Sequence, residues 1–209
     1  KHGLEDMVLV EASSKRYYPY GNVASHVLGF TGTDGTGLYG LEYQYNTQLA
    51  GTPGRYITAR DSYGRELPFE YKSVIDAVDG YDVHTTIDLK IQMILEEQLR
   101  ATFEECQPEC GAAGVVMNVK TGAVLAMGVY PDFDCNDPRT LDDYYEGLLE
   151  ASGYTEGSAE YNTLKKELQM KMWSNKVLTD PYMPGSTFKI ITTSVTLEEN
   201  AAKVDEKFY

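Results

Sequence analysis

Ser186 and Lys189 stand three residues apart in the stretch Pro184-Gly185-Ser186-Thr187-Phe188-Lys189, just ahead of an apolar run. On a helix three positions amount to nearly one turn, so the hydroxyl and the amine share a face and can meet. That places a nucleophile beside a candidate base, the arrangement acyl transfer needs. Pro184 and Gly185 interrupt whatever precedes them, so the predicted helix starts close to Ser186. Unpaired backbone N–H groups and the positive dipole end gather there and favour a developing oxyanion. The same field disfavours a charged amine. An ordinary lysine is neutral in only about one molecule in 2,500 near pH 7, so a lysine acting as base must be dehydrated by burial. Phe188, Ile190, Ile191, Val195 and Leu197 make the helix apolar on more than one face and predict that it lies in a core. A serine and lysine at this spacing also occur as neighbours on exposed helices. Ser186 is nevertheless the only serine in the chain with lysine at the third following position, and its apolar setting after Pro-Gly favours catalysis.

The remaining composition bounds what this pair can belong to. The chain has 209 residues, 42% of them hydrophobic, enough for one large or two small domains. Its formal charge of −14 argues against nucleic acid as a partner and against an electrostatic hold on an anionic membrane. No apolar run approaches the length of a membrane span, and with Lys1 as its first residue the chain reads as an excised soluble part. Cys106, Cys110 and Cys135 do not make a disulfide framework, although a Cys106–Cys110 bridge is compatible with Pro108 between them. His2, His26 and His84 are scattered, and no set of side chains has metal-ligand spacing; no metal and no cofactor is expected.

The elements that must position the pair are read along the chain. Residues 1–80 are rich in glycine and tyrosine, with a strand-like Met7–Val10, many turns, and a turn at Asp61-Ser62-Tyr63-Gly64. A domain boundary is placed near Gly80. Beyond it, Tyr81–Thr86 reads as a strand, and Asp88 caps a helix whose stripe is Ile91, Ile94, Leu95, Leu99 and Phe103, ending near Cys106 to Pro108. Ala113–Val119 and Ala123–Tyr130 form a hairpin through Lys120-Thr121-Gly122. From Pro131 to about Leu168 the chain turns acidic, which predicts a solvated helical insertion. Tyr161–Trp173 reads as a helix with Leu164, Leu168 and Met172 at four-residue steps. The fold class expected is α+β.

The stretch Asn175-Lys176-Val177-Leu178-Thr179-Asp180-Pro181-Tyr182-Met183, running into Pro184–Lys189, resembles the active-site entry of class B penicillin-binding proteins, the serine D,D-transpeptidases of peptidoglycan synthesis. Arg16-Tyr17-Tyr18-Pro19, His26-Val27-Leu28-Gly29-Phe30 and Gly37-Leu38-Tyr39-Gly40-Leu41-Glu42 resemble the pedestal segments that precede the transpeptidase domain. Val83-His84-Thr85-Thr86-Ile87-Asp88, with Gln92 and Glu96 behind it, resembles that domain's opening. The resemblance implies a β-rich pedestal or dimerisation region over 1–80, and over 81–209 the first part of a transpeptidase domain, truncated after the Ser-x-x-Lys helix. It implies that Ser186 is the nucleophile and supplies one oxyanion N–H donor, and that Lys189 is the general base or acts only electrostatically. It also implies stem peptides as substrate, β-lactams as covalent inhibitors, and a membrane glycan polymerase as a partner of the pedestal. The implied location is the extracytoplasmic face of the bacterial membrane, held by an N-terminal transmembrane helix absent from this chain. A Ser-x-Asn element and a Lys-Ser/Thr-Gly strand complete the family's cleft downstream, and neither follows Ser186 here, so the fragment alone is expected to be inactive. Lys120-Thr121-Gly122 and Tyr20-Gly21-Asn22 copy motifs of related enzymes but precede Ser186, and both are read as structural. A β-lactam sensor domain and a non-catalytic scaffold are the alternatives.

Overall fold

The computed structural model describes residues 15–58 and 72–204. The expected strand at Met7–Val10, His2, and the turn at Asp61–Gly64 lie outside the described residues. The chain forms two compact units, Lys1–Leu178 and Thr179–Tyr209. In order, the elements are α1 (Ser25–Leu28), α2 (Gly40–Gln44), α3 (Asn46–Leu49), β1 (Arg55–Thr58), β2 (Lys72–Ile75), α4 (Leu89–Cys106), β3 (Ala112–Met117), β4 (Val124–Tyr130), α5 (Asp143–Ala151), α6 (Ala159–Trp173), α7 (Lys176–Thr179), a 3₁₀ turn (Gly185–Phe188) and α8 (Lys189–Glu198). Both strand pairs, β1 with β2 and β3 with β4, are antiparallel, so the α+β expectation holds.

The centre of the first unit is the β3–β4 hairpin with α4 packed against it. Asp88 caps α4 as its sequence predicts, accepting from the backbone N–H groups of Lys90 at 2.9 Å and Ile91 at 3.1 Å. Glycines let the helix come close: a Cβ on Gly128 would lie 3.2 Å from Leu99 Cδ1, and one on Gly114 would lie 2.9 Å from Leu95 Cδ1. The buried stripe differs from the expected one. Ile94 is 59% exposed, and the fully buried residue on this face is Gln92. Its amide donates to Met127 O at 2.8 Å and accepts from Met127 N–H at 2.9 Å, so one side chain completes a strand's pairing at the outer edge of β4. Asp88 N–H donating to Leu125 O and Thr86 Oγ1 donating to Val124 O continue the cover along that edge. The segment Tyr81–Thr86 is therefore not the strand its alternation predicted. It reaches β4 only through isolated contacts at its end, and no ladder forms.

The acidic stretch after Pro131 corrects a second expectation. Phe133, Cys135, Leu141, Tyr145, Leu149, Leu168 and Met172 are buried and form the main core with Tyr18 and Phe30 from the first part of the chain. This stretch is thus no solvated insertion. Asp134, Asp137, Asp143, Glu146 and Glu150 face outward while Phe133, Cys135, Leu141, Tyr145 and Leu149 turn in, an amphipathic pattern beneath the charge run. Phe30 lies at the junction. Its ring stacks on Tyr39 at 5.3 Å, meets Trp173 at 5.1 Å and stands edge-on to Phe133 at 5.8 Å. Gly29, with φ 74°, permits that approach, since a Cβ there would sit 1.9 Å from Tyr39 O. Helix α6 follows its expected spacing, with Leu168 and Met172 buried.

Candidate active site

The Ser-x-x-Lys pair belongs to the second unit. Ser186 lies in the 3₁₀ turn and Lys189 opens α8, so the helical path does begin beside Ser186. Gly185 takes φ 56°, and Thr187 closes the turn by donating from its N–H at 3.3 Å and from Oγ1 at 2.6 Å to Pro184 O. The Lys189 backbone N–H donates to Ser186 O, which sets the two residues one turn apart on one face. Burial departs from expectation. Ser186, Lys189 and the apolar positions of α8 are exposed, Ile190 by 74% and Ile191 by 54%. Among the described residues no side-chain hydrogen bond joins the Ser186 hydroxyl to the Lys189 amine. The reason is local: among the described residues of its own unit α8 has residues 179–188 before it and 199–204 after it, too little surface to cover a helix that is apolar on several sides.

In the first unit the two decoy motifs are structural. Lys120-Thr121-Gly122 is the hairpin turn, with Gly122 at φ 75° and its N–H donating to Asn118 O at 2.8 Å. Tyr20-Gly21-Asn22 is a turn whose Asn22 amide donates to Asp132 Oδ2 at 2.9 Å.

That contact lies at the rim of a half-buried polar joint that sequence reasoning did not isolate. Glu96 Oε1 accepts from Ala24 N–H at 2.8 Å and from Gln92 Nε2 at 2.7 Å. The joint ties the turn around residues 20–25 to α4 and to the chain leaving β4. Its one sequence signal was Gln92 and Glu96 at i and i+4 on the apolar side of α4. Burial raises the Glu96 carboxyl above its usual range and lifts Asp132 to about 6, the neighbouring Glu96 and Asp142 charges adding to the effect. His26 moves oppositely: burial lowers it to about 4, and its Nε2 lies 2.9 Å from Met172 O, which fixes a neutral ring with the proton on Nε2. The remaining thiols carry no bridge; Cys106 and Cys110 are exposed and Cys135 is buried.

A raised carboxyl means the folded state holds its proton more tightly than the unfolded chain, so Asp132 opposes folding at neutral pH and ceases to do so as pH falls through about 6 toward 4. Asp132→Asn removes that charge and keeps an acceptor for Asn22. The variant is expected to be about 1–3 kcal/mol more stable than the parent at pH 7, with the gain gone by about pH 4. Urea midpoints at the two pH values check this, and a gain of equal size at both would contradict it.

The described residues thus define an α+β protein that carries a serine and a lysine one helical turn apart. Residues 4–85 match the penicillin-binding protein dimerisation domain, and residues 112–209 match the penicillin binding protein transpeptidase domain. The chain is 36% identical over 203 residues to stage V sporulation protein D of Bacillus subtilis, covering 97% of this chain and 27% of that protein. It is 30% identical over 190 residues to the peptidoglycan D,D-transpeptidase FtsI of Escherichia coli K12, covering 91% of this chain and 27% of that one. A crystal structure of a peptidoglycan synthetase from Bifidobacterium adolescentis superposes with a TM-score of 0.67 at 25% identity, covering 95% of this chain and 31% of that one. The chain belongs to the class B penicillin-binding proteins. It spans 27% of the length of each of these two curated relatives.

Proposed function

We propose that the protein is a serine D,D-transpeptidase that cross-links peptidoglycan stem peptides. The observation that carries the reading is the placement of Ser186 and Lys189 one turn apart inside the stretch matched to the transpeptidase domain. Ser186 Oγ attacks the carbonyl of a terminal D-Ala-D-Ala bond while Lys189 takes the hydroxyl proton, and the Ser186 N–H donates to the oxyanion. The proton passes to the leaving amine and D-Ala departs. An acceptor amine then attacks the acyl ester, forms the cross-link and returns the serine hydroxyl. β-Lactams acylate the same oxygen.

In this reading residues 1–80 are a pedestal that engages a membrane glycan polymerase, and 81–209 are the first part of the transpeptidase domain. The order of the two family matches, over residues 4–85 and 112–209, supports two such regions. The protein works on the extracytoplasmic face, held by a transmembrane helix N-terminal to Lys1; among the described residues no helix is long and apolar enough to cross a membrane. The exposed apolar faces of α8 support a cleft completed by further chain, and residues 1–209 alone are expected not to turn over substrate.

The test is intact mass spectrometry of the full-length protein after benzylpenicillin, beside Ser186→Ala. A persistent adduct that the variant lacks is expected; no adduct, or an adduct retained by the variant, refutes Ser186 as nucleophile. Release of D-Ala from a stem-peptide mimic separates a transpeptidase from a β-lactam sensor, which acylates without turnover.

A further inference from the structure

A cleft of about 410 Å³ opens in the first unit between Lys15–Tyr18, the loop Thr31–Gly35 and the segment Cys135–Arg139. The chain as a whole has 18 basic residues against 32 acidic ones, yet this cleft is lined by Lys15, Arg16 and Arg139 with Asp137 as the sole carboxylate. Not all of that charge is free. Arg16 is held by Glu42, Nε lying 2.8 Å from Oε1 and Nη2 donating to Oε2 at 3.1 Å, and Asp137 accepts from Thr140 Oγ1 at 2.8 Å. Lys15 and Arg139 are different: both are exposed, and among the described residues neither side chain has a carboxylate partner. Thr33 lines the same cleft, and buried Phe30 and Tyr18 give it an apolar wall.

We propose that this cleft binds a small oxyanion ligand, a carboxylate or a phosphate, held by Arg139 and Lys15 against the apolar wall. Guanidinium presents a planar fork that matches two oxygens at once, and an ammonium adds a point charge, so the two together suit an anion with more than one oxygen to offer. The volume falls in the range of small-molecule sites. This ligand site stands apart from the reading of Ser186 and does not depend on it.

The chain supplies its own reporter. Trp173, its single tryptophan, packs on Phe30 at 5.1 Å and donates from Nε1 to Pro138 O at 2.7 Å, and Phe30 and Pro138 both line the cleft. The full-length protein, with any tryptophan outside residues 1–209 replaced by phenylalanine, is titrated with glutarate and, separately, with inorganic diphosphate while Trp173 emission is followed at low and high salt. A saturable change with at least one probe is expected, weakened by salt, and weakened roughly tenfold or more in Arg139→Gln and in Lys15→Gln. Whichever probe saturates identifies the oxyanion as carboxylate or phosphate. Failure of both probes to saturate overturns the proposal, as does saturation that Arg139→Gln leaves unchanged. Both substitutions are at exposed side chains, near-UV circular dichroism verifies the fold, and a negative result leaves the penicillin adduct on Ser186 untouched.

Discussion

In the full-length protein, Lys189→Ala is expected to slow acylation by benzylpenicillin by about 10²- to 10⁴-fold, the contribution of one positioned proton acceptor. The fold should survive, because the Lys189 backbone N–H, not its side chain, makes the bond to Ser186 O that links the turn to α8. Lys189→Arg sharpens the question. Arginine keeps the charge and does not give up its proton, so it preserves an electrostatic role and removes a basic one. If Lys189 takes the proton from Ser186, arginine is as slow as alanine. Acylation restored to within a few-fold of the parent by arginine would sink the base assignment and leave a purely electrostatic one. Adduct formation against time, by intact mass, distinguishes the two.

What could be read in advance follows the range over which each signal acts. The α4 cap at Asp88, the hairpin turn at Gly122 and the four-residue steps of α6 are local: a few adjacent side chains decide them, and the structure has them where the spacing placed them. Ser186 beside Lys189 is local too, and the one-turn spacing appears as a 3₁₀ turn leading into α8. Burial was legible only where the partner surface lies within the same unit. The apolar residues of α8 asked for a core that the second unit does not contain, whereas the acidic run after Pro131 hid one, because Phe133 and Met172 find Phe30 and His26 more than a hundred residues earlier. Gln92 was missed for a related reason. A glutamine within an apolar stripe looks like a break in the pattern until the backbone groups of Met127, which it satisfies, are seen beside it.

The largest loss of stability is expected from Met172→Ala. Met172 is completely buried at the end of α6, where four different groups depend on its position. Its side chain packs in the cluster with Tyr145, Leu149 and Leu168, its sulfur accepts from Asp142 N–H at 3.4 Å, and its carbonyl is the partner of His26 Nε2. Next to it, Trp173 closes over Phe30. Truncation to alanine removes three heavy atoms from the centre and leaves the Asp142 N–H without its acceptor, so the transfer and cavity costs are joined by the cost of a stranded donor. Together these give about 3–5 kcal/mol, a large share of what holds a domain of this size. Met172→Leu keeps most of the volume and loses only the sulfur contact, which sets its cost below about 1.5 kcal/mol. Urea denaturation of residues 1–209, followed by Trp173 emission, measures both. A Met172→Ala loss under about 1 kcal/mol would mean that this cluster is not the core that joins the first segment of the chain to α5 and α6.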